Sequence, residues 1–227
     1  MDLTYTVLRS SRRKKLTITV ERDRGVVVHA PATASEETIR GAVESKRKWI
    51  YEKIGHAQKY TDLPHPPGKE LVNGESALFL GRLYPITLTP EEGRDVRFDD
   101  KFLIPASLRG ETRNVLRAWY IAQAREHVLP RVRMYAEQLG VAYNEAKIVD
   151  NRYRWGSCTT KNNVNFNWRL IKAPMFVVDY VIVHELTHLL ESNHTPSFWN
   201  IVHTQSPRMD KARQWLLENG GILEEEI

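Results

Sequence analysis

Residues 179–199 read DYVIVHELTHLLESNHTPSFW, and both the fold and the chemistry turn on that stretch. Between residues 177 and 190, nine of the twelve residues other than His184 and His188 are apolar or aromatic. They lie all round the helical circumference, the pattern of a buried helix rather than an amphipathic one. Two histidines and a glutamate inside such a helix need partners, because desolvating a polar group without compensation costs roughly several kcal/mol. His184 and His188 stack on one face, four residues apart, with Cβ atoms about 5–6 Å from each other. One metal ion can take both imidazoles, with Glu185 on the neighbouring flank.

H-E-x-x-H on a helix is the zinc-hydrolase arrangement, two ligands and a general base. Alone, the motif also arises by chance, and the alternative is a pair of core histidines satisfied by their neighbours. His194 strengthens the metal reading, because it follows His188 at the spacing of H-E-x-x-H-x-x-G-x-x-H. A straight helix would carry His194 about 9 Å further along the axis, beyond the ion's reach. The helix must therefore stop. Asn193 is expected to take the left-handed conformation that ends helices, and Thr195 and Pro196 read as N-cap and N1 of the next one. The expected site is His184, His188 and His194 around Zn2+, with Glu185 as general base and acid.

Composition bounds the rest. The 227 residues suffice for one domain or two small ones, and 41% apolar with 27% charged residues is ordinary for a globular protein. The single cysteine, Cys158, cannot form an intramolecular disulfide, which fits a reducing compartment. The first fifteen residues lack an apolar h-region, and no run reaches the length of a membrane span. A cytoplasmic location is expected, without membrane attachment. The formal charge of +5 is uneven: residues 1–60 hold 13 Lys and Arg against 7 Asp and Glu, and the rest hold 20 against 21. The basic part, with Arg12, Arg13, Lys14 and Lys15 together, suits nucleic acid, phosphate groups or an acidic protein; the plainer reading is a solvated turn or strand edge.

In chain order, residues 3–8, 16–20 and 26–29 read as short strands, with turns at 12–15 and 23–25. Ser35 caps a helix continuing through Ile39, Val43 and Ile50 toward Gly55. Residues 64–68, PHPPG, form a loop and a boundary candidate. Strands follow around residues 78–80, 84–88, 96–98 and 102–104. The expected fold class is α+β, with a β-rich region carrying one helix over residues 1–105 and a helical catalytic domain over 106–227. A helix spans residues 111–139, with Pro130 kinking or splitting it. Residues 148–149 and 164–168 are strands bracketing a loop at 150–163. The metal helix starts with Pro174 at N1, and the last helices span 195–203 and 208–218, ended by Gly220 and Gly221.

Three stretches resemble the YgjP-like, SprT-related zinc metallopeptidases: RWGSC at 154–158, NFNWRLI at 165–171 and DYVIVHELTHLLESNH at 179–194, followed by Phe198 and Trp199. WYIAQA at 119–124 and the Arg-rich N-terminus extend the likeness to most of the chain. The resemblance implies a zincin-like catalytic domain behind a family-specific β-rich region, zinc held by His184, His188 and His194, and Glu185 as acid and base. Glu191 stands where the metzincin pattern has glycine, so the turn must be made elsewhere.

A peptide or protein substrate is expected, and the strand at 164–168 is either an edge that pairs with it or an interior strand. Tyr153, Tyr180 and His203 are candidates for oxyanion stabilisation. Arg154 and Asp179 are candidates for a supporting ion pair, Cys158 reads as a structural thiol, and His29, His56, His65 and His127 lie outside ligand spacing. Two other functions use the same metal: hydrolysis of phosphoanhydrides such as nucleotides, and proteolysis on nucleic acid docked by residues 1–60. A non-catalytic, metal-stabilised binding module is the last alternative.

Overall fold

The computed structural model describes residues 3–20, 25–54, 74–90, 92–151 and 154–224. His56, His65, Tyr153, the loop at 64–68 and most of the turn at 23–25 lie outside them. The chain divides into two compact units, Met1–Pro64 and His65–Ile227.

The first unit holds strands β1 (Thr6–Ser10), β2 (Thr17–Val20) and β3 (Val26–Pro31). β3 is central, parallel to β1 and antiparallel to β2. Its alternating Val26, Val28 and Ala30 form a small core with Ile39, Val43 and Ile50, as a period of two on one sheet face requires. Ser35 caps α1 (Glu36–Ser45), its hydroxyl accepting from the Thr38 N–H at 3.2 Å. The single helix expected here is two: the chain leaves helical geometry at Lys46, whose N–H turns to the Val43 carbonyl at 3.1 Å, and resumes as α2 (Arg47–Ile54). Arg12, Arg13, Lys14 and Lys15 sit exposed in the β1–β2 turn.

The second unit begins with a four-stranded sheet, β4 (Ser76–Phe79), β5 (Arg82–Thr89), β6 (Arg97–Phe98) and β7 (Phe102–Pro105), in the order β4-β5-β7-β6. A 3-10 turn over Ala106–Glu111 leads into α3 (Thr112–Leu139). This helix is the spine of the unit. Leu116, Tyr120 and Ala124 pack into one core with Phe79, Ile86, Phe102 and Ile104, while Val128, Val132 and Ala136 pack into another with the metal helix. Pro130 does not split α3; it lies on the solvent face, where water can satisfy the carbonyl that the missing N–H leaves behind. Gly140 closes the helix at φ 65°.

A second sheet follows, β8 (Glu145–Val149), β9 (Gly156–Cys158) and β10 (Asn163–Asn167), in the order β8-β10-β9. β9 falls inside the expected loop; three residues ending in a lone cysteine carry no alternation to read. A 3-10 turn at Trp168–Lys172 then delivers the chain to α4 (Met175–Thr187), α5 (Pro196–Gln205) and α6 (Met209–Glu224). Pro174 is the N-cap of α4, one position earlier than expected. Gly220 and Gly221 do not end α6, because Leu216, Gly220 and Leu223 are buried on one face and that packing outweighs the roughly 1 kcal/mol each helical glycine costs. The fold is α+β.

The contacts do not divide after residue 105, where the strand-rich part was expected to end. The β4–β5 turn explains why. Leu80 and Gly81 take φ of 48° and 81°, the pattern of a tight hairpin, and their N–H groups donate to Ile171 and Lys172 carbonyls at 3.0 and 2.8 Å. A Cβ on Gly81 would lie 2.5 Å from Pro174 Cγ. This hairpin therefore seats the start of α4, and the Tyr120 hydroxyl donates to its Leu78 carbonyl at 2.7 Å. No helix among the described residues is long and apolar enough to cross a membrane.

Candidate metal centre

α4 is buried along most of its length, and His184 and Glu185 are each only 8% exposed within it. The helix brings the two imidazoles expected of it to one side, with ring centroids of His184 and His188 5.1 Å apart. α4 ends earlier than the sequence suggests, with His188 as its C-cap. Successive tight bonds then turn the chain: Leu189 N–H to Leu186 at 3.0 Å, and Leu190 and Glu191 N–H groups to Thr187, both at 2.9 Å. Asn193 is not left-handed; among the described non-glycine residues only Leu80, Asp100 and Asn162 are. The i→i+3 turns after Leu186 already stop the helix, so no left-handed residue is needed.

The chain returns from there. Thr195 caps α5, its hydroxyl accepting from the Phe198 N–H at 3.2 Å, with Pro196 at the first helical position, as the sequence predicts. His194, just before the cap, comes back to the pair on α4: its Nε2 is 3.1 Å from His184 Nε2. The ligand atoms of His184, His188 and His194 all lie within 4.8 Å of one another. A tetrahedral ion at 2.0–2.1 Å from nitrogen spaces its donors about 3.3 Å apart, so the cluster fits one such ion.

The donors are also prepared electrically. Burial holds His188 below the ordinary histidine range, opposed by the Glu191 and Ser192 backbone carbonyls, and a neutral imidazole is the form that binds metal. His188 Nδ1 faces the Glu191 carbonyl at 3.3 Å. With the proton on Nδ1, Nε2 keeps its lone pair for the cluster. Phe198, fully buried, lies against all three rings, with centroids 5.0, 4.7 and 4.7 Å from His184, His188 and His194.

Glu185 faces β9 instead. Burial pushes its carboxyl up to about 8, against the pull of Arg154 and of the Cys158 backbone N–H that donates to it. Gly156 provides the space: a Cβ there would lie 2.5 Å from Glu185 Cγ and 2.8 Å from Oε1. The WGSC segment, legible from sequence only as a loop beside the metal helix, is thus the seat of the glutamate. A glycine one residue after a buried Trp155 is the only sequence trace of this arrangement.

Other expectations fare differently. Asp179 pairs with Arg131 of α3 at 2.8 Å, not with Arg154; it lies six residues before Glu185 on α4. The Tyr180 ring lies 5.9 Å from that of His184 and its buried hydroxyl has no hydrogen-bond partner among the described residues, while His203 is exposed on α5. Cys158 is half-buried and its thiol is raised by burial, then by Glu185. Of the two readings of the strand at 164–168, edge or interior, the second holds: β10 is the central strand, paired to β8 and β9, and the outer position beside α4 belongs to β9. His127, on α3, packs against Phe79 of β4, and His29 lies on β3.

A buried H-E-x-x-H helix with a third imidazole turned back beside it is the framework of metallopeptidase domains. The family model described as YgjP-like, metallopeptidase domain, matches residues 14–219, and the chain belongs to that family. The match takes in both compact units. No curated protein and no solved structure matches the chain.

Proposed function

We propose that the chain is a zinc-dependent peptidase in which His184, His188 and His194 hold the ion and Glu185 moves the proton. One observation carries this reading: three imidazole ligand atoms within 4.8 Å of one another, beside a buried carboxyl whose hydrogen bond goes to β9 rather than to the cluster. His184, His188 and His194 would hold the ion as neutral imidazoles, and a zinc ion there would supply a Lewis acid able to polarise a carbonyl and to lower the pKa of a water toward neutrality. Glu185 accepts a proton from the attacking water and delivers it to the amine nitrogen as the peptide bond breaks. Burial raises its proton affinity in the metal-free chain, and a cation held by the neighbouring histidines would favour the ionised form that accepts the proton. Gly156 leaves room for the carboxyl and the Cys158 N–H donates to it, which keeps it out of the ligand set. The outer edge of β9 offers an extended peptide a strand to pair with.

Imidazole donors also suit nickel, iron and cobalt, so the first measurement is the metal content of the purified protein beside His188→Ala. Wild type is expected to carry zinc and His188→Ala to lose it. With zinc present, a casein panel and nucleoside triphosphates are offered in parallel. Casein is expected to be cleaved, and Glu185→Gln to lower that rate by about 10²–10⁴ with its metal retained. Cleavage of triphosphates alone, stopped by Glu185→Gln, makes the protein a phosphoanhydride hydrolase. Full activity in Glu185→Gln removes the glutamate from the chemistry. The exposed basic turn between β1 and β2 supports a nucleic-acid or phosphate partner, whose binding would weaken steeply with salt as counterions are released.

A further inference from the structure

We propose that Trp199, braced by Arg213, is the positioning residue that holds His194 in the orientation of a metal ligand. The inference rests on the reading of the three histidines as ligands and adds α6 to the parts that build the site.

His184 and His188 are oriented by the helix that bears them, but His194 is not. It is exposed and lies in the irregular segment between the end of α4 and the start of α5. An exposed side chain on such a segment has rotamer freedom to lose before it can bind, so something beyond its fellow histidines must set its ring. Two aromatic neighbours on α5 do. The Trp199 indole lies 5.4 Å from the His194 ring at only 21°, and Phe198 meets the same ring at 4.7 Å and 89°. One contact is parallel and the other perpendicular, and together they leave the imidazole a single plane.

The two neighbours divide the work differently. Phe198 touches all three histidines and serves as their common floor. Trp199 is tilted at 57° to His184 and stacks only on His194. The indole is itself held from α6, where the Arg213 guanidinium lies 5.0 Å from its centroid, a cation–π distance. Asp210, one turn earlier, lies 4.0 Å from Arg213. The chain of contacts runs from Asp210 through Arg213 and Trp199 to His194.

Residues that orient a ligand without touching the ion typically govern metal affinity by about 10–100-fold. The test uses the full chain stripped of metal and titrated with Co(II), whose visible absorption reports coordination, with Zn(II) affinity measured by competition. Trp199→Ala is expected to weaken both metals by about 10–100-fold and to change the cobalt spectrum. Trp199→Phe is expected to recover part of the loss, and Arg213→Ala to weaken binding less than Trp199→Ala. Trp215→Ala, which removes an indole packed against the same core but not against a histidine, is expected to lower the melting temperature and leave affinity unchanged. If Trp199→Ala proves unfolded by circular dichroism, Trp199→Phe and Arg213→Ala carry the test, and wild-type affinity and spectrum in both overturn the proposal. Wild-type affinity in a folded Trp199→Ala overturns it too, while the three-histidine reading stands. A wild-type chain that takes neither metal overturns both.

Discussion

The metal helix and the segments that meet it are built on opposite principles. α4 contributes the side chains of the proposed chemistry, His184, Glu185 and His188, set by helical spacing and by burial around the whole circumference. β9 and the turn into α5 contribute backbone devices: space where Gly156 has no side chain, a donated N–H at Cys158, and a capping hydroxyl at Thr195. The first kind is robust, because a whole core holds it. The second is local, so single atoms should have large and separable consequences. The predictions below test that division.

Burial on α4 has the largest expected effect, visible in the metal-free protein. In the unfolded chain Glu185 gives up its proton near 4.5, whereas in the folded chain burial defers that to about 8. Between those values the native state keeps a proton that the unfolded state has released. The contribution of protonated Glu185 is therefore whole below pH 4.5 and is lost as pH rises through about 8. Denaturant unfolding of metal-free wild type against Glu185→Gln should show wild type losing on the order of a few kcal/mol relative to the variant from pH 5 to pH 9. Parallel pH profiles would mean that the carboxyl is ionised at neutral pH and that β9 compensates burial fully.

Gly156→Ala tests the other side. The new methyl would sit 2.5 Å from Glu185 Cγ and 2.9 Å from Cδ, so either the carboxylate or β9 must move. With the ligands untouched, metal content should stay at the wild-type level while the hydrolytic rate falls about 100-fold, the usual cost of a misplacement of about 1 Å. In the Glu185→Gln background the same change should cost far less, since the group it displaces no longer works. An equal loss in both backgrounds would show that Gly156 matters to the fold or the substrate and not to the glutamate.

The same division explains what the sequence disclosed. The clustering of the three histidines, the start of α5 and the long α3 were legible because they rest on residue spacing, on Thr195-Pro196, and on apolar positions repeated every four residues. The role of Gly156 and the end of α4 at Thr187 were not, and the choice between edge and interior for β10 stayed open. Each depends on a partner distant in sequence or on a backbone bond that no residue type announces. Composition changes after residue 105, but Leu80 and Gly81 bond to Ile171 and Lys172, and pairing across ninety residues leaves no local trace. Asp179 was matched with Arg154 because the two flank the site in sequence, while its partner Arg131 comes from a helix read only for its apolar stripe.

The smallest effect concerns the turn that returns His194. The Thr195 hydroxyl accepts from the Phe198 N–H at 3.2 Å, and removing such a cap typically costs about 1 kcal/mol. Thr195→Ala should lower the melting temperature of the metal-free protein by about 2–4 °C, with Thr195→Ser close to wild type because serine caps equally well. Metal affinity should change little if the rings of Phe198 and Trp199 alone orient His194. A loss of affinity in Thr195→Ala that Thr195→Ser restores would instead show that the cap fixes the path of the third histidine, and would move the control of that ligand from aromatic packing to the backbone.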